Sequence, residues 1–410
     1  MHILFLTDNF PPEVNAPASR TYEHTREWIK AGHQVTVLTC APNFPKGKVF
    51  AGYRNRLWQT EWMDGIRVIR VWTYIAANEG FLARILDYVS FMISSTLAAM
   101  LVRQADLVIG TSPQFFTACA AYLVGRLKGI PFIFELRDLW PESIKAVGAM
   151  KDSWIIRCLE HIELFLYQRA DAVISVTNSF KQNLIGRGID GHKIHVVTNG
   201  VDLSRFAPLP KDAALAEELG LKDCFVGGYI GTHGMAHGLE TLLDSAEIFQ
   251  KENRMDIHIL LLGDGACKAD LKAKAKERGL TSVIFIDSVP KAEVVRYWSL
   301  LDISIIHLRD TDLFSSVIPS KMFESMGMGI PLVHGVSGES AEIVEREGVG
   351  LVFHSGDAQA LHDALVILKN DSERFKMLRN RCLEAAVNYD RAALAAKMLR
   401  VIEAIRGVPK

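Results

Sequence analysis

Cysteine is sparse and unpatterned in this 410-residue chain. Its six cysteines, Cys40, Cys119, Cys158, Cys224, Cys267 and Cys382, include no Cys-x-x-Cys pair. That argues against a disulfide framework and a zinc site, and it suits a reducing cytosol. Neither sign of charge is in excess: 46 Lys and Arg stand against 47 Asp and Glu, a net charge of −1. Bulk attraction to nucleic acid is therefore not expected. The first strand is not followed by Gly-x-Gly-x-x-Gly, so the dinucleotide fingerprint is absent. The opening run Met1-His2-Ile3-Leu4-Phe5-Leu6 is short for a signal peptide and lacks a basic start; it reads as a buried strand. A membrane span needs about 20 apolar residues. The nearest approach, 85–102, is short and holds Asp87, Ser90, Ser94 and Ser95.

What is present is the composition of a globular α/β chain, 49% apolar and 23% charged. Its length exceeds one ordinary core, so two domains are expected. A strand at 3–7, a proline-rich loop, a helix at 18–31 and a strand at 34–39 form a βαβ unit, with its first loop at the C-terminal edge of a parallel sheet. The interval 42–64 reads as irregular, and strands follow at 66–72, 106–111, 132–135 and 172–176. Asn199-Gly200 is a turn signal, and the domain boundary is expected near Ala207. Strands at 224–230, 258–262, 283–286, 303–307 and 350–353 then alternate with helices.

The stretch richest in chemistry is Ile318-Pro319-Ser320-Lys321-Met322-Phe323-Glu324, running through Gly329-Ile330-Pro331 into an apolar strand. Proline and serine are helix-start signals, and Ser320 can cap a free amide. The amides of a helix start favour an anion, and Lys321 adds a full positive charge there. Glu324 lies one turn in, on the same face. A carboxylate accepts two hydroxyl hydrogen bonds, so it suits a vicinal diol such as a ribose. Phosphate at the mouth and ribose one turn along outline a nucleoside diphosphate. An amphipathic helix with solvated Lys321 and Glu324 is the competing reading.

This stretch resembles the donor-site signature of family-four-type retaining glycosyltransferases of the GT-B architecture, in which two Rossmann-like α/β domains face each other across a cleft. Glu324 matches the second glutamate of their motif and Gly329-Ile330-Pro331 its tail, while Ser316 stands at the place of the first glutamate. The Pro-Ser-Lys opening is similar to bacterial enzymes of surface-polysaccharide assembly, including N-acetyl-L-fucosamine transferases. The resemblance covers nearly the whole chain. It implies an acceptor-side domain, 1–207, to which a final helix within 391–410 crosses back, and a donor-binding domain, 208–390.

Other segments carry the same resemblance. Leu136-Arg137-Asp138-Leu139-Trp140-Pro141-Glu142-Ser143 ends a strand, where ligands gather in open α/β sheets. Arg137 replaces a histidine of the wider group. Arginine cannot act as a base, so Arg137 is expected to hold charge on the donor phosphate or acceptor. Asp138 or Glu142 would take the acceptor proton; a salt-bridged loop is the plainer alternative. Asn15-Ala16 stands where the group has a glycine pair near the donor phosphates. Arg20, a turn later, either reaches a phosphate or acceptor or lies on the surface. Gly231-Thr232-His233-Gly234-Met235-Ala236-His237 is a glycine-rich loop before a helix. Thr232 and His237 occupy the places of an arginine and a lysine that neutralise the diphosphate. A charge-assisted bond is worth about 1.5–3 kcal/mol, and two are missing unless His233 and His237 are protonated. Gly263-Asp264-Gly265 and Asp287-Ser288-Val289-Pro290 are similar to segments of the group; the second usually holds uracil through backbone groups, here near Val289. Arg309, Asp310 and Asp312 face the sugar or the solvent.

Two segments carry open alternatives. Lys46, Lys48, Arg54 and Arg56 alternate with Phe44, Phe50, Trp58 and Trp62, a mixture that suits single-stranded nucleic acid, an acceptor groove or a membrane interface. With no other nucleic-acid signal, no nucleic-acid partner is expected. The apolar helix at 81–103 either packs on the sheet or rests on the cytoplasmic leaflet, with Arg84 and Arg103 at its ends.

The expectation is a cytoplasmic enzyme, attached or not to the inner face of the cell membrane, that needs no metal or other cofactor. The i,i+4 histidines 233 and 237 lack a third ligand. The enzyme would move a sugar, such as an N-acetylated amino sugar, from a UDP-sugar to a polyprenyl-diphosphate-linked saccharide of O-antigen or capsule. The family outline implies retention; a base at Asp138 would fit inversion. An isomerase like the UDP-N-acetylglucosamine epimerases, and a non-catalytic nucleotide-sugar-binding assembly protein, are the rivals.

Overall fold

Strands buried on both faces read as continuous apolar runs and pair in parallel when helices cover both sides. The computed structural model describes residues 1–44, 47–75, 81–140, 154–290 and 293–406; Lys46, Pro141, Glu142 and Ser143 lie outside the described residues. The chain divides into two compact units, residues 1–198 with 391–410, and residues 199–390.

The first unit contains, in order, β1 (His2–Leu6), α1 (Ala16–Lys30), β2 (Gln34–Cys40), β3 (Trp58–Met63), β4 (Ile66–Val71), α2 (Phe81–Leu101), β5 (Leu107–Thr111), α3 (Phe115–Lys128), β6 (Phe132–Leu136), α4 (Trp154–Arg169), β7 (Ala172–Ser175), α5 (Asn178–Gly186) and β8 (Ile194–Val196). The strands lie in the order β3-β4-β2-β1-β5-β6-β7-β8. All neighbours are parallel except β3 and β4. The β3 arm of that antiparallel hairpin falls inside the interval expected to be irregular, 42–64, whereas β4 is the strand expected at 66–72. The hairpin's signal was Asp64-Gly65, which turns with φ of +47° and +81° between Met63 and Ile66, the backbone a tight hairpin demands.

The second unit contains α6 (Ala213–Glu218), β9 (Phe225–Ile230), α7 (Glu240–Lys251), β10 (Ile257–Leu262), α8 (Lys268–Glu277), β11 (Val283–Ile286), α9 (Val294–Trp298), β12 (Ile303–His307), α10 (Asp312–Ser315), α11 (Lys321–Met328), β13 (Leu332–Gly335), α12 (Glu339–Glu347), β14 (Gly350–Val352), α13 (Ala358–Asn370) and α14 (Ser372–Ala386). Its parallel sheet has the order β11-β10-β9-β12-β13-β14. The division falls at Thr198–Asn199, upstream of Ala207. Val201 and Phe206 are the reason: both are buried in the core of the second unit, and Val201 bridges to Asp390. The last helix, α15 (Arg391–Arg406), packs on α1 in the first unit. Leu394, Met398 and Ile402 join Ile3, Phe5 and Trp28 in one core, and the Trp28 indole donates to the Ala395 carbonyl at 2.9 Å.

Helix α2 packs with Phe91, Ala98 and Ala99 in the core and leaves Leu86, Ile93, Leu97 and Leu101 more than half exposed. By length and composition, its residues Ala83–Leu101 are long and apolar enough to cross a membrane.

Candidate functional site

In the second unit, β9 and β10 run in register to Ile230 and Leu262, and the loops beyond them are tied by backbone bonds. Gly231 N donates to Leu262 O at 2.9 Å, Gly263 N to Ile286 O at 3.2 Å, and His233 N to Asp264 O at 2.9 Å. The approach requires glycine at 263: its φ is +145°, and a side-chain carbon there would lie 1.8 Å from the Gly231 carbonyl oxygen. Lys268 locks the arrangement from below. Its buried ammonium donates to Gly263 O at 2.6 Å, Ile286 O at 2.9 Å and Asp287 Oδ1 at 2.5 Å. The result is a cleft of about 220 Å³ lined by Gly231, Thr232, Gly263, Asp264, Ser288 and Val289, which brings together Gly231, Gly263 and Val289 as expected site residues.

Lys321 opens α11 beside this loop. Its Nζ is buried with no hydrogen-bond partner and sits 3.5 Å from the centroid of the Tyr229 ring. A side-chain carbon on Gly231 would lie 2.7 Å from that nitrogen. Burial pushes the Lys321 ammonium down to about 7, with Glu324 pulling the other way. A buried cation held mainly by a ring face lacks the partner such charges normally have. The helix mouth itself offers less than expected. Ser320 has helical φ and ψ and makes no capping hydrogen bond. The Met322 and Phe323 amides are spent on the Pro319 and Ser320 carbonyls, each at 3.1 Å. Glu324 is half-buried in the first turn of α11.

The histidines do not replace the missing cations. Burial, then Lys268 and Lys321, push His233 down to about 4; burial, then Lys321, do the same to His237. Both are neutral at pH 7, so protonation does not restore the charge. His237 Nδ1 lies 3.3 Å from the Gly234 carbonyl, while both ring nitrogens of His233 are buried without a partner. Both rings lie 6.0 Å from Tyr229. Tyr229 and Lys268 were missed in the sequence: an aromatic within a glycine-bearing strand and a lysine shortly after Gly263-Asp264-Gly265 are their only signals. Among the described residues no group of three or more His, Cys, Asp and Glu could hold a metal ion. The sequence does contain one Asp-x-Asp pair, Asp310-Thr311-Asp312, three residues beyond β12.

In the first unit, Arg20 neither reaches outward nor lies on the surface. It is 1% exposed, paired with Glu135 at 2.9 Å, and donates to the Val197 and Thr198 carbonyls at 3.0 and 2.7 Å. Asn15 is likewise spent locally: with φ of −69° it caps α1, its Oδ1 accepting from Ala18 N at 2.9 Å. No positive φ is needed there. Arg137 and Asp138 follow β6, and both amides donate to Ser112 Oγ, at 2.7 and 3.2 Å. Arg137 Nη1 is buried without a partner. Burial, with Arg20 and Arg391 adding to it against the pull of Glu135, pushes its guanidinium down to about 9, still cationic at neutral pH. A cation with an unused donor at a strand exit can hold an anion.

Residues 15–200 match the Glycosyl transferase 4-like domain and residues 224–371 the Glycosyl transferases group 1 domain. WcaI of Escherichia coli K12, a glycosyl transferase assigned to colanic acid biosynthesis, is 26% identical over 80% of this chain and 82% of its own length. A GDP-mannose-dependent alpha-mannosyltransferase of Mycobacterium tuberculosis is 22% identical over 99% and 97%. An E. coli UDP-Gal:alpha-D-GlcNAc-diphosphoundecaprenol alpha-1,3-galactosyltransferase is 24% identical over 66% and 68%. Among solved structures, sucrose-phosphate synthase of Thermosynechococcus elongatus shares the fold with a TM-score of 0.78 at 16% identity, over 98% of both chains. Anabaena HepE in complex with UDP does so with 0.72 at 16%, over 98% of this chain and all of that one.

Proposed function

We infer that this chain, which belongs to the GT-B glycosyltransferases through its 4-like and group 1 domains, transfers a sugar from a UDP-linked donor to a polyprenyl-diphosphate-linked saccharide of a bacterial cell-surface polysaccharide. The observation that carries the donor half is Lys321, a buried ammonium with no hydrogen-bond partner beside the Gly231 loop. A diphosphate supplies the anion it lacks, and in this reading Glu324, half-buried in the first turn of α11, takes the ribose hydroxyls. The cleft at Gly263 and Val289 takes the base. The enzyme then lowers the barrier by stabilising the departing diphosphate electrostatically and by holding the acceptor hydroxyl within attack range. The UDP complex of a neighbour sharing the fold and the diphosphoundecaprenol acceptor of one relative support this choice. Same-face attack with retention is the outcome we assign on the family outline; Ser316 at the first motif position does not itself decide it, and inversion with Asp138 as base is the alternative.

The test is thermal-shift and turnover screening of UDP-, GDP- and dTDP-sugars with a lipid-diphosphate acceptor. UDP-sugars are expected to raise the melting temperature and to turn over only with acceptor, with EDTA present or absent. Stabilisation by GDP-sugars alone would overturn the donor. Conversion of the UDP-sugar by NMR with no acceptor would establish an isomerase instead. Donor binding with no transfer to any lipid-linked acceptor would point to a binding protein.

The acceptor's lipid also needs a place for the enzyme at the bilayer, and the outward side of α2, α3 and α4 suits an anionic membrane surface. Leu97 and Leu101 of α2, Leu127 of α3 and Phe165 of α4 are exposed. Tyr122 and Phe165, 5.2 Å apart, join α3 to α4. Arg84, Arg103, Arg126 and Arg157 are exposed on or beside the same helices, the pairing of apolar stems and cations that favours anionic lipid. Changing Leu97, Leu101 and Leu127 together to glutamine is expected to abolish co-sedimentation with phosphatidylglycerol vesicles and leave UDP binding unchanged. Equal sedimentation of both proteins would reject the docking face. Phe91 is unsuitable for this test because it is fully buried.

A further inference from the structure

A separate cavity of about 320 Å³ lies in the first unit, lined by loops after β1, β2 and β5 and by one side of α2. Its walls include the carboxylates of Asp8, Glu13 and Asp87, the Asn9 amide and the Tyr88 phenol, and among the described lining residues Arg84 is the one cation. Arg84 faces Tyr88, its Nη2 3.3 Å from the phenol oxygen.

The carboxylates are not simply a solvated acidic face. Glu13 is 4% exposed. Its Oε1 accepts from the Asn43 and Phe44 amides at 2.7 and 2.8 Å, while its Oε2 is buried with no partner. A buried acceptor with no donor is costly, and a ligand hydroxyl or ammonium relieves that cost. Asp87 spends Oδ1 on the Thr73 hydroxyl at 2.7 Å. Burial first, then the Asp8 carboxylate, push Asp87 up to about 6, and the same two causes, against two amide hydrogen bonds, raise Glu13. Burial raises Asp8 as well. Two cations outside the lining act on this group, Arg137 on Asp8 and Arg70 on Glu13. Arg70 is already engaged by Glu61, Cys40 O and Pro11 O. The cavity thus offers acceptors, and Asp87 at about 6 is ionised at neutral pH, so it favours a ligand rich in donors and repels an anion.

We propose that this cavity binds one sugar ring of the acceptor, neutral or amino-bearing, through its hydroxyl or ammonium donors to Asp8, Glu13 and Asp87, and that it rejects rings carrying a carboxylate or phosphate. The assignment to the acceptor rests on the transferase reading; the charge selectivity does not. The acceptor's diphosphate binds elsewhere for the same electrostatic reason.

Saturation-transfer NMR on the full chain tests this with D-glucosamine, D-glucose and D-glucuronate as probes. The expected result is signal from glucosamine and glucose and none from glucuronate. Asp87→Asn and Glu13→Gln, both near-isosteric, are expected to weaken glucosamine at least tenfold with UDP affinity unchanged, and Asp87→Asn to admit glucuronate. Glucuronate binding to the wild-type protein as well as glucose does would overturn the proposal, without any variant having to fold. Undiminished glucosamine binding in both variants would overturn it too. Loss of UDP binding by the wild-type protein would instead remove the donor reading and leave the cavity's selectivity standing.

Discussion

Lys321→Met is expected to remove UDP binding and, at the same time, to raise the melting temperature of the ligand-free protein. The two effects share one cause. The wild-type ammonium is buried over Tyr229 without a hydrogen-bond partner, so the free fold is strained by it and the diphosphate relieves the strain. Removing one partner of a buried charged contact costs about 2 kcal/mol or more, so UDP affinity should fall at least about 30-fold. The free protein should gain about 1 kcal/mol, or roughly 2–4 °C for a melting unit the size of residues 199–390. The sign with pH follows from a lysine lowered from 10.5 to about 7. Between those values the unfolded chain binds the extra proton, so wild-type stability rises with pH across that window. The gain from methionine is therefore largest at or below pH 7 and shrinks toward pH 10. Ligand binding works in the opposite sense: the anion favours the ammonium, so UDP binding takes up a proton above pH 7. Wild-type affinity declines as the pH climbs from there. Calorimetry in buffers of different ionisation enthalpy reads this directly. A methionine variant with unchanged melting temperature and full UDP affinity would end the argument.

Gly263→Ala should be the most damaging single-methyl change in the second unit. The obstacle is backbone: the added carbon would sit 1.8 Å from the Gly231 carbonyl oxygen, and no rotamer relieves it. The φ of +145° adds strain for any L side chain. The loops after β9 and β10 must part, which pulls Gly231 from Lys321 and opens the cleft at Val289. A loss of about 3 kcal/mol, the upper range for forced overpacking, corresponds to roughly 6 °C or more, with UDP affinity down at least tenfold. Gly279→Ala is the control. Its φ of +64° is also left-handed, but nothing lies within 4 Å, so it should cost only about 1 kcal/mol and spare binding. If the two variants melt alike and bind UDP alike, the close approach is not what shapes the site.

Much of this was legible in the order of residues. Parallel strands buried on both faces leave an apolar run that needs no partner to be recognised, and β1, β2, β10 and β12 fall within a residue of where such runs lie. Pro319-Ser320-Lys321 and Glu324 mark a helix start whatever surrounds it, and a glycine at 263 marks a close approach. The hairpin of β3 was legible too, in Asp64-Gly65, though its charged and aromatic residues mimic a loop.

What a residue does once folded was not legible. Arg20 and Asn15 look like ligand-binding groups in a βα loop; only the arrival of Glu135 and the Val197 and Thr198 carbonyls, more than 100 positions away, makes Arg20 an internal brace. The charge states of Lys321, His233 and His237 depend on burial and on one another across the loops after β9 and β10. The three carboxylates of the first-unit cavity come from a loop and a helix separated by more than 70 residues. Local chemistry is written in neighbours along the chain, so sequence alone determined the parallel strands of the two sheets and the residues at their exits. Desolvation and pairing are set by neighbours in space, so only the tertiary structure decided which of those residues carry charge and which remain without a partner.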